Sequence, residues 1–296
     1  MKLLICICTY KRNKSLINSL KSFKKAILPP GISIEFLIVD NTKNGDAKNI
    51  INKFKLNFKF KINYFIEKKR GVVFARNKCL KELRKINCKY LAFFDDDGEI
   101  DKHWFINFKN ILKTTNVKII TGPQIYPKNN LGSIFEKKIK KNNSYVNWAA
   151  TNNVIIKKKI ILSTNLYFDV KLNKFGMGED QLFFLKLNKL GNKIIWNKDL
   201  KVYEKSHSHR KGANWIMQRS FRLGVLGNHI DKKIYGTISG FIINYLKFFY
   251  YIASSVLMIF NPLQRNFIYK FINFFFTAIG RLIGPLIFNK IEFYKK

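Results

Sequence analysis

Residues 90–100, YLAFFDDDGEI, carry an apolar run from Tyr90 to Phe94 straight into Asp95, Asp96 and Asp97. A short apolar run bounded by a polar turn reads as a buried strand, and its carboxyl end is where open α/β sheets gather ligands. Three adjacent carboxylates repel one another, and each resists ionising beside apolar surface unless a cation or several donors offset the charge. A hard divalent ion takes carboxylate oxygens and leaves positions open for substrate phosphates. On an extended chain Asp95 and Asp97 share a face and Asp96 points the other way. A solvated acidic turn after an ordinary strand explains the triplet equally well, so the surrounding sequence has to discriminate.

Further short apolar runs lie at Leu3 to Cys8, Phe36 to Val39, Phe60 to Phe65 and Val117 to Ile120. Between them Leu16, Leu20 and Phe23, and then Val73, Asn77, Leu80 and Leu83, recur at helical spacing. Strands alternating with helices predict a mostly parallel sheet with helices on both faces. Three strand ends are polar: Thr9, Tyr10, Lys11 and Arg12 follow the first run, Asp40 and Asn41 the second, and Asp95 to Asp97 the fourth. Together they outline one pocket. Neither G-x-G-x-x-G nor G-x-x-x-x-G-K-[ST] follows the first run, which removes the usual dinucleotide and P-loop readings and leaves a metal to hold any phosphate.

The 296 residues suit one large α/β domain, or one domain with an appendage. A formal net charge of +37 calls for anionic partners: nucleic acid, acidic lipid or phosphate-bearing substrates. Lysine is scattered through every segment instead of gathered on one face, so no nucleic-acid partner is expected. Cys6, Cys8, Cys79 and Cys88 form no C-x-x-C pair and lie in or beside apolar or helical patterns. That predicts buried, reduced thiols in a cytosolic protein, without zinc. The opening MKLLICICTYKR has a very short apolar run and no small-residue cleavage site, so it reads as a first strand and keeps the amino-terminal part in the cytosol.

The segments ICICTYKR, FLIVDN, KRGVVFARNKCL, FFDDDGEI, GPQIY, TNNVIIKK and FGMGEDQLFFLKLNKLG follow one another along the chain. In that order they resemble the nucleotide-sugar glycosyltransferases of the GT-A fold, glycosyltransferase family 2, with a coverage from about Lys2 to about Gly227. The resemblance implies a Rossmann-like sheet, a nucleoside-diphosphate sugar donor and a divalent cation, Mg2+ or Mn2+. It implies that Thr9, Tyr10 and Arg12 line the base-binding loop, that Asp40 hydrogen-bonds base or ribose, and that Arg76 lies near the nucleotide. FFDDDGEI is similar to the D-x-D element, with Asp95 and Asp97 on the metal that bridges the diphosphate and Asp96 on the donor sugar or ribose. Such a metal neutralises charge developing on the leaving nucleoside diphosphate.

Inverting sugar transfer needs a base to take the acceptor hydroxyl proton during attack on the anomeric carbon. The resemblance gives that role to Asp180, with Glu179 beside it. Taken alone, the pair reads as an acidic first turn favoured by the helix dipole, in a helix that ends at Gly191. Asn152 and Asn153 resemble acceptor-orienting residues, although a polar turn before a strand accounts for them as well. His207, His209 and Arg210, in YEKSHSHRKG, sit where a loop can close over the diphosphate, with a phosphate contact favoured over metal ligation for the histidines.

After Lys233 the sequence turns aromatic and apolar, in IYGTISGFIINYLKFFYYIASSVLMIF and then FIYKFINFFFTAIGRLIGPLIF, each long enough to span a bilayer. Gly240, Asn244, Lys247, Tyr251 and Ser254 recur at helical spacing, as do Asn266, Lys270, Asn273, Thr277 and Arg281. Such polar stripes suit helices lying in the membrane interface, with basic flanks on anionic lipid. A spanning hairpin turning at Asn261 to Asn266, its lysines all cytosolic, is the alternative.

The sequence thus predicts residues 1–230 as a GT-A glycosyltransferase domain and 231–296 as apolar, membrane-associated helices. The expected activity is inverting transfer of a sugar from a nucleoside-diphosphate donor to a lipid-linked or cell-surface glycan acceptor, at the cytoplasmic face of the cell membrane. A sugar-phosphate nucleotidyltransferase would share the sheet and the metal, but ICICTYKRNKS lacks the glycines its opening loop requires. A non-catalytic basic protein that binds membrane or nucleic acid leaves the placement of the aspartates unexplained.

Overall fold

The computed structural model describes residues 1–126, 140–204, 212–260 and 266–293. The apolar runs become strands β1 (Lys2–Thr9), β2 (Ser33–Asp40), β3 (Lys61–Ile66) and β4 (Tyr90–Asp95), followed by β5 (Gly98–Ile100), β6 (Ile119–Thr121), β7 (Gln124–Ile125), β8 (Ser144–Val146), β9 (Asn153–Lys157), β10 (Ile194–Trp196) and β11 (Val202–Glu204). The helices are α1 (Asn13–Lys25), α2 (Lys48–Lys55), α3 (Val72–Leu83), α4 (Trp104–Thr114), α5 (Lys158–Thr164), α6 (Glu179–Lys189), α7 (Ala213–Tyr235), α8 (Thr237–Ile259) and α9 (Phe267–Ile287). One unit comprises the described parts of Met1–Ile125, Lys137–Val170 and Phe183–Lys205, and a second those of Tyr126–Glu136, Lys171–Leu182 and Ser206–Lys296.

In the first unit the large sheet runs β3-β2-β1-β4-β9-β6-β10-β8. The first four strands are parallel, as the βαβ order predicts. What the order did not foretell is β9, which enters antiparallel between β4 and β6. A second sheet, β5-β11-β7, stands at the carboxyl end of β4. Alternate side chains of β1 feed two cores: Leu3, Ile5 and Ile7 meet Leu16, Leu20, Phe23 and Trp104 on one face. Leu4 and Cys6 meet Val73, Leu80, Leu83 and Phe183 on the other. This is the mixed α/β, mostly parallel architecture with helices on both faces.

Packing, not capping, holds α1 in place. Its N-cap is Arg12, with no side-chain cap bond, where a good cap would contribute about 1 kcal/mol. Burial of each of Leu16, Leu20 and Phe23 contributes roughly 1.5–3 kcal/mol, and Phe23 adds edge-on contacts to Phe36 and Phe94 at 5.1 Å each. A poor cap is therefore tolerated, and Arg12 is left available for other work. All four cysteines are free thiols. Cys8 and Cys79 lie 3.7 Å apart, and that contact, then burial, pushes the Cys8 thiol well above its ordinary range.

In the second unit α8 and α9 are long and apolar enough to cross a membrane. Part of each polar stripe is buried among the helices. Gly240, Asn244, Thr277 and Arg281 are buried. Asp231 of α7 takes Lys247 Nζ at 2.6 Å and Arg281 Nη1 at 2.9 Å, while Arg281 Nη1 also donates to Asn244 Oδ1 at 3.0 Å. α7 thus supplies a carboxylate to the polar residues of both helices. Residue 230 lies within α7, which continues unbroken to Tyr235.

Candidate active site

The carboxyl ends of β1, β2 and β4 lie side by side because the strands are parallel and in register, with Thr9 opposite Asp40 and Cys8 opposite Asp95. Beyond Asp95 the strand stops: Asp96 and Asp97 form a turn into β5. The extended-chain alternation therefore does not apply past Asp95, and the triplet is divided differently. Arg12 Nη1 reaches Asp97 Oδ2 at 2.8 Å and Asp96 Oδ1 at 3.3 Å. Asp96 also accepts the Thr9 hydroxyl at 2.7 Å, and Arg76 Nη2 meets Asp95 Oδ1 at 3.3 Å. The repulsion expected among three carboxylates is answered by two guanidinium groups, one from the loop after β1 and one from α3.

Burial, then the charges of Asp97 and Asp95, push the Asp96 carboxyl up to about 7, against the pull of Arg12 and Thr9. Its folded value exceeds its ordinary one, so the folded state holds a proton that the unfolded chain has released. The resulting stability is complete below the ordinary carboxylate range and is lost as pH rises through about 7. Thermal unfolding of the metal-free protein is expected to show a Tm that falls between about pH 4 and 7 and levels off above, and Asp96→Asn to flatten that slope. An unchanged slope in the variant would remove Asp96 as its source.

Asp40 is brought to the pocket edge but is already occupied. Its Oδ1 accepts the Thr42 N–H at 3.0 Å and hydroxyl at 2.8 Å, and its Oδ2 accepts the Ala47 N–H at 2.7 Å and the Tyr64 hydroxyl at 2.6 Å. A carboxylate offers about four acceptor sites, so Asp40 shapes the loop from Asn41 to Ala47. Burial, and then the Asp40 acceptor, raise the Tyr64 hydroxyl above its ordinary range. Asn41 does similar work: its Nδ2 donates to Glu67 O and Lys69 O at 2.8 Å each, and its Oδ1 accepts the Gly71 N–H at 2.6 Å. Gly71 sits at φ 132°, where a side chain is strained.

Fixing that segment brings Arg70 over the Tyr10 ring at 5.0 Å, with Lys11 on the same ring at 5.7 Å. Arg70 was not singled out from the sequence. Its signal was the KKR run immediately before the glycine. Tyr10, Arg70, Lys11 and Arg12 present an aromatic face among cations, which suits a base followed by a diphosphate.

Asn153 is a core residue. It is 1% exposed, its Oδ1 accepts the Trp104 Nε1–H at 3.3 Å, and its Nδ2 donates to Pro123 O at 3.2 Å and Leu200 O at 2.6 Å. The amide is used by the fold. Asn152 is half-buried and donates to Gln124, which in turn donates to Glu204, linking β7 to β11. His207, His209 and Arg210 lie outside the described residues.

Glu179 and Asp180 open α6 in the second unit, after Gly176 at φ 63° and Gly178 at φ 86°. Glu179 is buried and Asp180 half-exposed, with Asp180 Oδ1 accepting the Gln181 N–H at 2.7 Å. The segment is seated on the helical module. Gly178 lies so close to Leu226 of α7 that a Cβ would touch it at 2.9 Å, and Phe175 stacks on Phe288, just past α9, with centroids 5.0 Å apart.

The sequence pattern described as Glycosyl transferase family 2 matches residues 4–169, more than half of the chain. The chain belongs to glycosyl transferase family 2. Among solved structures, the mannosyltransferase PcManGT from Pyrobaculum calidifontis, in complex with GDP-Man and Mn2+, is similar at TM-score 0.63 and 12% identity, over 98% of this chain and 88% of that one. S. aureus TarS 1–349 in complex with UDP-GlcNAc is similar at TM-score 0.56 and 16% identity, over 94% of this chain and 90% of that one. Against a longer S. aureus TarS chain the TM-score is 0.55 at 18% identity, and 80% of this chain spans only 43% of that one. These likenesses establish the GT-A fold of the family 2 chain. No curated protein matches it.

The family implies a divalent cation. Among the described residues no group of three or more His, Cys, Asp or Glu is placed to hold one. Mg2+ and Mn2+ sites, however, commonly use one or two carboxylates and complete their shell with water and substrate phosphate. Asp95 and Asp97 supply hard oxygen donors of that kind at the mouth of the sheet, so the donor set fits.

Proposed function

We propose that this family 2 chain is a metal-dependent, inverting glycosyltransferase that moves a sugar from a nucleoside-diphosphate donor to a lipid-linked or cell-surface glycan acceptor. The observation that carries the reading is the convergence of Thr9, Arg12 and Arg76 on Asp95, Asp96 and Asp97, at the carboxyl ends of parallel strands. Asp95 and Asp97 would hold the cation, which supplies a counter-charge for the leaving diphosphate. Arg12 and Arg76 orient the same phosphates, Tyr10 offers its ring to the base, and Asp180 takes the proton from the acceptor hydroxyl.

A membrane acceptor is supported by the seat of the Asp180 segment. It rests on α7 and on the residue after α9, beside helices whose outer faces are apolar. Work at the cytoplasmic face of the cell membrane, in polysaccharide synthesis for the cell envelope, follows from that reading, and no nucleic acid is required. Calorimetric titration of a panel of nucleotide sugars, with and without Mn2+, tests it. Metal-dependent binding of at least one donor, with sugar transfer to a membrane extract, is expected. Pyrophosphate release from a nucleoside triphosphate and sugar phosphate, with no donor bound, would overturn it.

A further inference from the structure

The second unit carries three helices joined by buried polar groups, with apolar side chains exposed along α8 and α9. α7 and α9 run side by side in the same direction. Ser220 Oγ donates to Asn273 Oδ1 at 2.8 Å, and Asp231 meets Arg281 at 2.9 Å. Between these points the backbones touch: a Cβ on Gly224 would overlap the Thr277 carbonyl, and one on Gly280 would overlap the Phe221 carbonyl. α8 returns antiparallel to α9, with Asn244 Nδ2 on Arg281 O at 3.0 Å and the Tyr251 and Phe274 rings 6.2 Å apart. The Asp231, Lys247, Arg281 and Asn244 network ties all three helices together.

This packing bears on how the apolar helices meet lipid. Along α8, Ile238, Phe241, Ile242, Leu246, Phe249 and Tyr250 are exposed, and on α9 so are Ile268, Leu282 and Leu286. Contiguous outward apolar surface on that scale marks a membrane or partner face. Yet α9 is locked over about three turns to α7, whose other residues include exposed Asn214, Gln218 and Lys233 and half-buried Arg222 and Lys232. If α9 crossed the bilayer, α7 would be drawn into hydrocarbon with it, and charged side chains there are strongly disfavoured.

We infer that α7, α8 and α9 form a monotopic anchor: α8 and the outer face of α9 lie in one leaflet of an anionic bilayer, while α7 stays on the water side and the Asp231 network seals the interior. The anionic leaflet is chosen as occupant by charge complementarity. The chain carries +37, with Lys232 and Lys233 on α7, Lys270 on α9 and Lys290 just past its end. The inference rests on the membrane reading above but not on the sugar-transfer chemistry.

Phe260, 79% exposed at the end of α8, reports the arrangement. The full chain bearing Phe260→Cys is expressed, sealed membrane vesicles exposing its amino terminus are isolated, and a membrane-impermeant maleimide is added, with the parent chain as background. Labelling of the new thiol without permeabilisation is expected. Labelling only after permeabilisation would place Phe260 across the bilayer, overturning the monotopic anchor while leaving membrane residence intact. Flotation of the purified chain should show roughly tenfold or tighter binding to phosphatidylglycerol-containing vesicles than to phosphatidylcholine alone. Equal binding to both would refute the anionic leaflet. No vesicle binding, with concentration-dependent dimerisation instead, would assign the apolar face to a second copy and remove the membrane reading as well.

Discussion

Asp180→Asn is expected to lower sugar transfer by about 100- to 10,000-fold, the usual worth of a positioned general base, with donor affinity unchanged. The substitution is nearly isosteric. Asn keeps an oxygen for the Gln181 N–H that Asp180 now accepts at 2.7 Å, so the first turn of α6 should survive and only proton acceptance is lost. Of the two acidic residues at this helix start, Glu179 is buried and Asp180 half-exposed, so Asp180 is the one expected to meet an acceptor hydroxyl. Measuring kcat beside the donor Kd separates chemistry from binding. Turnover at the parental rate would exclude Asp180 as base, and a comparable loss in Glu179→Gln alone, with its Tm preserved, would transfer the role.

Asp97→Ala should weaken donor binding on the order of 10–100-fold and abolish its dependence on added Mn2+. A charge-assisted interaction contributes about 1.5–3 kcal/mol, which converts to that range of affinity. Removing Asp97 takes away both a hard oxygen donor and the closer partner of Arg12, at 2.8 Å. Two roles are therefore confounded, and Mn2+ titration followed by electron paramagnetic resonance separates them. Loss of donor affinity with Mn2+ binding intact would make Asp97 an anchor for Arg12 and not a metal ligand.

Much of the architecture was legible locally. An apolar run ending in polar residues has the same consequence wherever the strand is placed, so β1, β2, β3 and β4 follow from residue pattern. Helix α3 follows from the spacing of Val73, Leu80 and Leu83, and α6 from a helical run opened by Glu179 and closed before Gly191, at φ 80°. The collinear motifs were equally local, and they carried the family. β9 was not legible as a sheet insertion, because strand direction depends on which neighbours a segment finds, not on its own alternation.

By itself, then, the sequence determined the strand and helix succession, the acidic end of β4, and the assignment to a sugar-transferring family. Tertiary structure alone decided which partner each polar group takes. It gave Asp40 to its own loop and Tyr64, Asn153 to the core, and Arg12 to two aspartates at once. It also brought Lys247 of α8 and Arg281 of α9 onto Asp231 of α7. The physical reason is common to all of these. Hydrophobic periodicity is written in short windows of chain, whereas a buried hydrogen bond or ion pair is satisfied by whatever group the fold delivers from elsewhere, 50 residues away for Asp231 and Arg281.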